Sequence, residues 1–257
     1  MPKYAFVIIF LLTALLAACA QAPAATNALP AATDTKAAPT DAPTNTTEPT
    51  ATLDYLATEA AEATAAAADA VTDINAELED LGLSTEGEVV WVQAEPIEVK
   101  QTTQDFDGVV EPLDEDLIVG DFTMGFDVTW ETVTGFSGCG IVFRAEDMDR
   151  GKQIRFYSMR LSGIPNWFVD LYQYGSYQAN LNWQPNNAIK SAQGSTNHYV
   201  ITVDGVNMYG YANGTRIAYA TLPGNLFEGQ FGFLAWEDSG ETTCTFENGW
   251  IISYPAE

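Results

Sequence analysis

The stretch Asp121-Phe122-Thr123-Met124-Gly125-Phe126-Asp127-Val128-Thr129-Trp130 decides the fold class. In an extended chain, side chains alternate between two faces. Phe122, Met124, Phe126, Val128 and Trp130 then share one side, and Thr123, Gly125, Asp127 and Thr129 the other. This predicts a half-buried strand with a strongly apolar inner face.

Similar runs recur on both sides of it, at Val89–Val92, Ile97–Val99, Gly140–Arg144, Gln153–Leu161, Trp167–Tyr174, Tyr199–Val203, Val206–Ala212, Thr215–Leu222, Gly229–Ala235 and Cys244–Ile252. Asn213-Gly214, between two of them, is a two-residue hairpin signal, and Asp204-Gly205 is another. No helical stripe interrupts the series. Many short strands at regular spacing predict an all-β jelly-roll β-sandwich over residues 84–257. A two-residue turn at 213–214 pairs 212 with 215, 211 with 216 and 208 with 219. On that register Met208, Ile217 and Tyr219 share one face, and Tyr209, Tyr211 and Arg216 the other.

The first 83 residues read differently. Met1-Pro2-Lys3 leads into an apolar run from Tyr4 to Leu15, followed by Leu16-Ala17-Ala18-Cys19. A short positive start, a brief apolar core and small residues before a break are the parts of a signal peptide. The run is shorter than the roughly 20 residues of a spanning helix. Leu-Ala-Ala-Cys resembles the bacterial lipobox, which implies cleavage after residue 18 and lipid on Cys19. The expected location is therefore extracytoplasmic, at a cell membrane or envelope, with the membrane met through that lipid.

Residues 19–52 are rich in Ala, Thr, Pro and Asn and cannot build a core, so they predict a disordered tether. Residues 53–82 lose Pro and carry Leu, Val, Ile or Ala at three- and four-residue spacing, at 53, 56, 60, 63, 67, 71, 74, 78 and 81. This predicts an Ala-rich acidic helix with Gly82 as its C-cap. Eight acids and no base between 53 and 80 favour a lone spacer in a monomer over a coiled coil.

The net charge is -25, and loss of the leader with Lys3 takes it to -26. So acidic a chain repels phosphate backbones, which argues against nucleic acid as a partner. With Cys19 assigned to lipid, Cys139 and Cys244 remain as an even pair, and export permits a disulfide between them. Such a bridge predicts neighbouring strands with Cα atoms about 5.5–6 Å apart. Two buried free thiols are the alternative.

Asp121–Val128, Ser137-Gly-Cys-Gly-Ile-Val-Phe-Arg-Ala-Glu146, Tyr209-Gly-Tyr-Ala-Asn-Gly-Thr-Arg216 and Gly229-Gln-Phe-Gly-Phe-Leu-Ala235 together resemble the concanavalin A-like lectin/glucanase sandwich. Within it they are most similar to the laminin-G-like and 3-keto-disaccharide hydrolase-type branch. The resemblance spans roughly residues 86–254. It implies the sandwich fold and allows lectins, hydrolases and inert modules alike. The Glu-x-Asp-x-Glu strand of the glucanases does not occur here, and no other catalytic motif stands out.

Three groups could carry function. Tyr172, Tyr174, Tyr177 and Trp183 could stack on sugar faces, with Tyr172 and Tyr174 on the outer side of their strand and Tyr177 and Trp183 from the loop after it. Plain sheet packing would also explain them. Arg144, Arg150, Lys152, Arg155 and Arg160 cluster within 17 residues and could grip an acidic glycan or pair with nearby acids; Arg155 is expected near the aromatic groove. Asp105, Asp107, Glu111, Asp114, Glu115, Asp116 and Asp121 could hold Ca2+ or form a solvated run. No cofactor is otherwise indicated. His198 is expected to be structural and exposed at a strand start. The resulting expectation is a lipid-anchored, non-catalytic binding module with a glycan ligand. A glycan hydrolase of the same superfamily and a structural envelope lipoprotein are the alternatives.

Replacing Cys19 by Ala should release the protein into soluble fractions or leave it unprocessed, as read by fractionation and mass. Membrane retention at mature size would refute lipidation, since the remaining chain holds no comparable apolar run.

Overall fold

A computed structural model describes residues 70–102, 105–132, 136–161, 163–238 and 241–255, with the side chains of 105–107 excepted. The signal peptide 1–18, Cys19, the tether 19–52 and helix residues 53–69 lie outside the described residues. Among the described residues no helix is long and apolar enough to cross a membrane.

Two antiparallel sheets form a jelly-roll sandwich. The first holds β1 (Glu88–Val92), β2 (Ile97–Gln101), β4 (Phe122–Thr132), β9 (Ser195–Asp204), β10 (Asn207–Ala212), β11 (Thr215–Thr221) and β13 (Thr242–Ser253). Its order is β1-β13-β4-β9-β10-β11, with β2 sharing the edge of β13 beside β1. The second holds β3 (Asp105–Pro112), β5 (Ser137–Ala145), β6 (Lys152–Leu161), β7 (Ile164–Gln173), β8 (Ser176–Pro185) and β12 (Gln230–Glu237), in the order β3-β12-β5-β6-β7-β8. β3 and β8 are strands that the sequence pattern did not announce.

The alternation of β4 is realised as read. Phe122, Met124, Phe126, Val128 and Trp130 are all buried in the layer between the sheets. There Phe233 of β12 stacks on Phe246 of β13 with ring centroids 4.0 Å apart, and Phe126 lies against both. The Tyr199 hydroxyl donates to Ser158 Oγ at 2.7 Å, so the phenol can be buried at little cost. Cys139 and Cys244 form a disulfide with Cα atoms 5.8 Å apart. The bridged strands, β5 and β13, are not neighbours in one sheet. They belong to opposite sheets, and the bridge ties these together across the core.

The Asn213-Gly214 turn pairs 212 with 215 and 211 with 216 as expected, but the register then shifts. A bulge at Ile217 puts Gly210 opposite Ala218 and Tyr209 opposite Tyr219. Tyr219 therefore lies on the outer face with Tyr209, with ring centroids 5.3 Å apart, and not with Met208. The bulge lets both Ile217 and Ala218 enter the core.

The helix is not a free spacer. Its described part, α1 (residues 70–81), packs on the outer face of the first sheet. Ile74 and Leu78 are buried against Val200, Trp250 and Ile252. Trp250 lies flat over Gly125, where a Cβ would come within 2.3 Å of its ring. Gly82, with φ of 69°, caps the helix: its own amide reaches Glu79 O and that of Leu83 reaches Leu78 O, the Schellman pattern.

His198 locks this contact and is half-buried, contrary to the exposed position expected. Its Nδ1 meets Asp127 Oδ1 at 2.7 Å on the adjacent strand, and its Nε2 meets the Glu77 carboxylate of α1. Burial disfavours the charged ring, but hydrogen bonds to Asp127 and Glu77 outweigh it and lift the pKa from 6.5 to about 9. The folded value lies above the unfolded one. The stabilisation is therefore complete below pH 6.5 and is lost as pH rises through about 9. Comparing melting curves of the native protein and a His198→Ala variant should give a difference of about 1–2 kcal/mol at neutral pH, allowing for solvent screening of a partly exposed ring. The difference should shrink above pH 9. A pH-independent difference would show that the imidazole acts through packing alone.

Candidate functional site on the outer face of the second sheet

The outer face of the second sheet carries no helix among the described residues, and three of its six strands, β6, β7 and β8, align their outward side chains in cross-strand rows. Tyr157, Phe168 and Trp183 are register partners. Their rings stack in sequence, Tyr157 on Phe168 at 5.4 Å and Phe168 on Trp183 at 5.7 Å, with planes within 10° of parallel. The next row is Arg155, Asp170 and Asn180, and the third is Gln153, Tyr172 and Tyr177. Gly140, the partner of Tyr157 on β5, keeps this surface low: a Cβ there would lie 2.6 Å from the Tyr157 Cβ.

The rows enclose a cleft of about 400 Å3 lined by Tyr157, Phe168, Asp170, Tyr172, Tyr177, Asn180, Trp183 and Trp236. Trp183 and Tyr177 form its exposed rim, at 48% and 54% of full accessibility. Asp170 is buried in the floor. Tyr157 donates its hydroxyl proton to Asp170 Oδ2, and Asn180 Nδ2 donates to Oδ1 at 2.7 Å. Burial raises the Asp170 carboxyl above its ordinary value, against the hydrogen bonds from Tyr157 and Asn180 and the nearby Arg155 charge. Burial and the facing carboxylate both push the Tyr157 phenol up, so it stays protonated as the donor.

The aromatic candidates separate. Tyr177 and Trp183 line the cleft, but from strand β8 and not from a loop. Tyr172 lines it too, yet at 4% exposure it is floor and not a free stacking surface. Tyr174 is outside it. The strand ends at Gln173, and Tyr174 and Gly175, with φ of 55° and 69°, make the tight turn into β8. Strand parity does not extend into such a turn, so Tyr174 projects into solvent. Arg155 is buried beside Asp170 and does not line the cleft, with its guanidinium 3.7 Å from the Tyr172 ring centroid and its Nε donating to Gln153 Oε1 at 2.9 Å.

The basic cluster does not converge on a ligand either. Arg144, buried through a bulge with φ of 47°, donates to Gly120 O, Gly205 O, Leu226 O and Asp121 Oδ1. Arg160 reaches Ser191 O. Asp121 of the acidic run is thus a partner of Arg144. Among the described residues no group of three or more His, Cys, Asp or Glu is placed to hold a metal ion.

Tyr157, Phe168, Asn180 and Trp236 were not singled out from sequence, and Asp170 read there only as an outward acid able to pair with the basic cluster. The tight turn at Tyr174-Gly175 was the available signal: once it is taken as a hairpin, residue 172 pairs with 177.

No protein-family model matches the chain, and no curated protein matches it. Solved structures similar to it include the carbohydrate binding module CBM66 from Bacillus subtilis, at 16% identity and a TM-score of 0.45, covering 60% of this chain and 95% of that one. Sheep galectin-11 in complex with glycerol gives 11% identity and 0.36, with 59% and 98% covered. A Bacillus licheniformis beta-glucanase gives 11% and 0.43, with 64% and 82% covered.

Floor and rim should respond differently to truncation. Tyr172→Ala removes a buried ring that carries the Arg155 guanidinium and should cost about 3 kcal/mol by denaturant melting. Trp183→Ala loses one exposed stacking contact and should cost about 1 kcal/mol or less. Equal costs would contradict this division.

Proposed function

We propose that this chain is a non-catalytic glycan-binding module held at the outer surface of a membrane by lipid on Cys19. The observation that carries the binding assignment is the pairing of a half-exposed Trp183, already oriented by stacking on Phe168, with the hydrogen-bonding row of Asp170 and Asn180 beside it. A sugar ring has a C–H face and a rim of hydroxyls. The first suits a flat ring fixed in place, and the second suits convergent polar atoms. Preorganisation by the ladder lowers the ordering cost of binding.

The anchoring part of the proposal is supported by the leader and Cys19, and by a disulfide of the kind that persists in oxidising compartments. Binding is preferred to hydrolysis because the cleft lining contains one carboxylate, Asp170, whereas most glycoside hydrolases work with two.

Affinity electrophoresis of the full chain against a panel of polysaccharides should reveal retention by at least one of them. Trp183→Ala should weaken that retention roughly tenfold, taking the ring's contribution as near the upper end for aromatic pairs. Retention unaffected by Trp183→Ala would remove the cleft from consideration, and release of shortened sugars would replace binding by catalysis.

A further inference from the structure

We infer that the ligand of this cleft carries a protonated amine, so that the glycan class it takes is an amino sugar and not a neutral or acidic one; this rests on the glycan-binding reading above.

The donors around Asp170 already have their hydrogens placed. The Tyr157 hydroxyl proton is spent on Asp170 Oδ2. Asn180 Nδ2 donates to Asp170 Oδ1 at 2.7 Å and to Asn182 O at 3.3 Å, which uses both amide hydrogens. Arg155, the remaining member of the row, is buried and does not line the cleft, so what Asp170, Asn180 and Tyr157 still offer a ligand is acceptors: a lone pair on each Asp170 oxygen, the Asn180 Oδ1 and the Tyr157 oxygen. A carboxylate or sulfate brings acceptors only and would meet them unpaired. A hydroxyl brings one donor. An ammonium brings three donors and no acceptor, which fits the row best.

Charge points the same way. Asp170 is the one formally charged residue among those lining the cleft. The Arg155 guanidinium, beside Asp170 on the neighbouring strand, is buried against Gln153 and Tyr172 and does not line the cleft. Around Asp170 stand Tyr157, Phe168, Tyr172, Tyr177, Trp183 and Trp236, and the faces of such rings attract cations. The chain as a whole, at -25, draws cations toward its surface. The carboxyl of Asp170, raised by burial, would gain from a cation seated above it.

The test is calorimetric titration of the full chain with three trisaccharides: a β-1,4-linked glucosamine trimer, its N-acetylated counterpart and trigalacturonate. The buffer should be at a pH of about 6, where an aliphatic amine is charged, with about 0.15 M salt to suppress non-specific attraction. The glucosamine trimer should bind roughly tenfold more tightly than the acetylated one, and trigalacturonate should bind least. Asp170→Asn should weaken binding of the glucosamine trimer well beyond any loss for the acetylated trimer, so that the amine preference disappears. Asn180 is exposed, so Asn180→Ala tests the same row without risk to the fold and should reduce the preference in part.

Equal affinity for the amine and its acetylated form, a preference for the acidic sugar, or an amine preference that survives Asp170→Asn would each overturn the inference. In those cases Trp183-dependent binding of the other sugars would leave the glycan reading standing. No binding of any sugar in these titrations or on the polysaccharide panel would end both.

Discussion

Every side chain in this domain takes its role from one constraint, which is that one side of each strand must enter the layer around Phe126, Phe233 and Phe246. That layer is closely packed, with Phe233 stacked on Phe246 at 4.0 Å and the Cys139–Cys244 bridge crossing it. Once Ile154 and Phe156 of β6 and Trp167 and Val169 of β7 point inward, Arg155, Tyr157, Phe168 and Asp170 have to point outward. The cleft is the outer counterpart of the core and is fixed by the same alternation. Its polar residues do not compete with the core, and a substitution at the rim leaves the inter-sheet layer intact.

The price of this plan is the burial of charge. Arg144 is drawn inward by a bulge and satisfied by three carbonyl oxygens and Asp121, so a guanidinium serves as a tie between the 120–121, 205 and 226 loops. Arg155 is accommodated differently, against the face of Tyr172 and the amide of Gln153. Both arginines belong to a run that reads in sequence as a basic patch. Neither is available as one, because a buried charge must be paired or hydrogen-bonded where it sits. Two of the five bases that could have gripped an acidic glycan are thus committed inside the domain.

The legible parts of the sequence were those where alternation is unbroken. Phe122–Trp130 gave its inner face, and the Asn213-Gly214 turn gave its first pairs. Bulges hid the rest. On β8, extra residues at Gln178 and Leu181 put Tyr177, Asn180 and Trp183 on one face at three-residue spacing, which is not a strand period. The strand therefore read as a loop, and its pairing partners on β7 went unseen. The Ile217 bulge moved Tyr219 to the other face in the same way. Helix docking was hidden for a different reason. Ile74 and Leu78 are two apolar residues in an Ala-rich acidic segment, and what makes them a docking site is the bed of Val200, Trp250 and Ile252, which forms only when distant strands pair.

The two outer faces of the sandwich therefore carry different tasks. α1 covers one, through Ile74, Leu78 and the His198 contact, and the aromatic rows lie on the other. Between them stand the inward residues of both sheets, including Phe156 and Tyr199, whose rings meet at 5.8 Å. A ligand in the cleft and the helix do not compete for surface. The chain enters the domain along the helix-bearing face. A close-packed core holds the two faces in a fixed relation, since packed interiors deform little. The helix contact therefore fixes residues 70–81 against one face of the sandwich and leaves the aromatic rows open on the other.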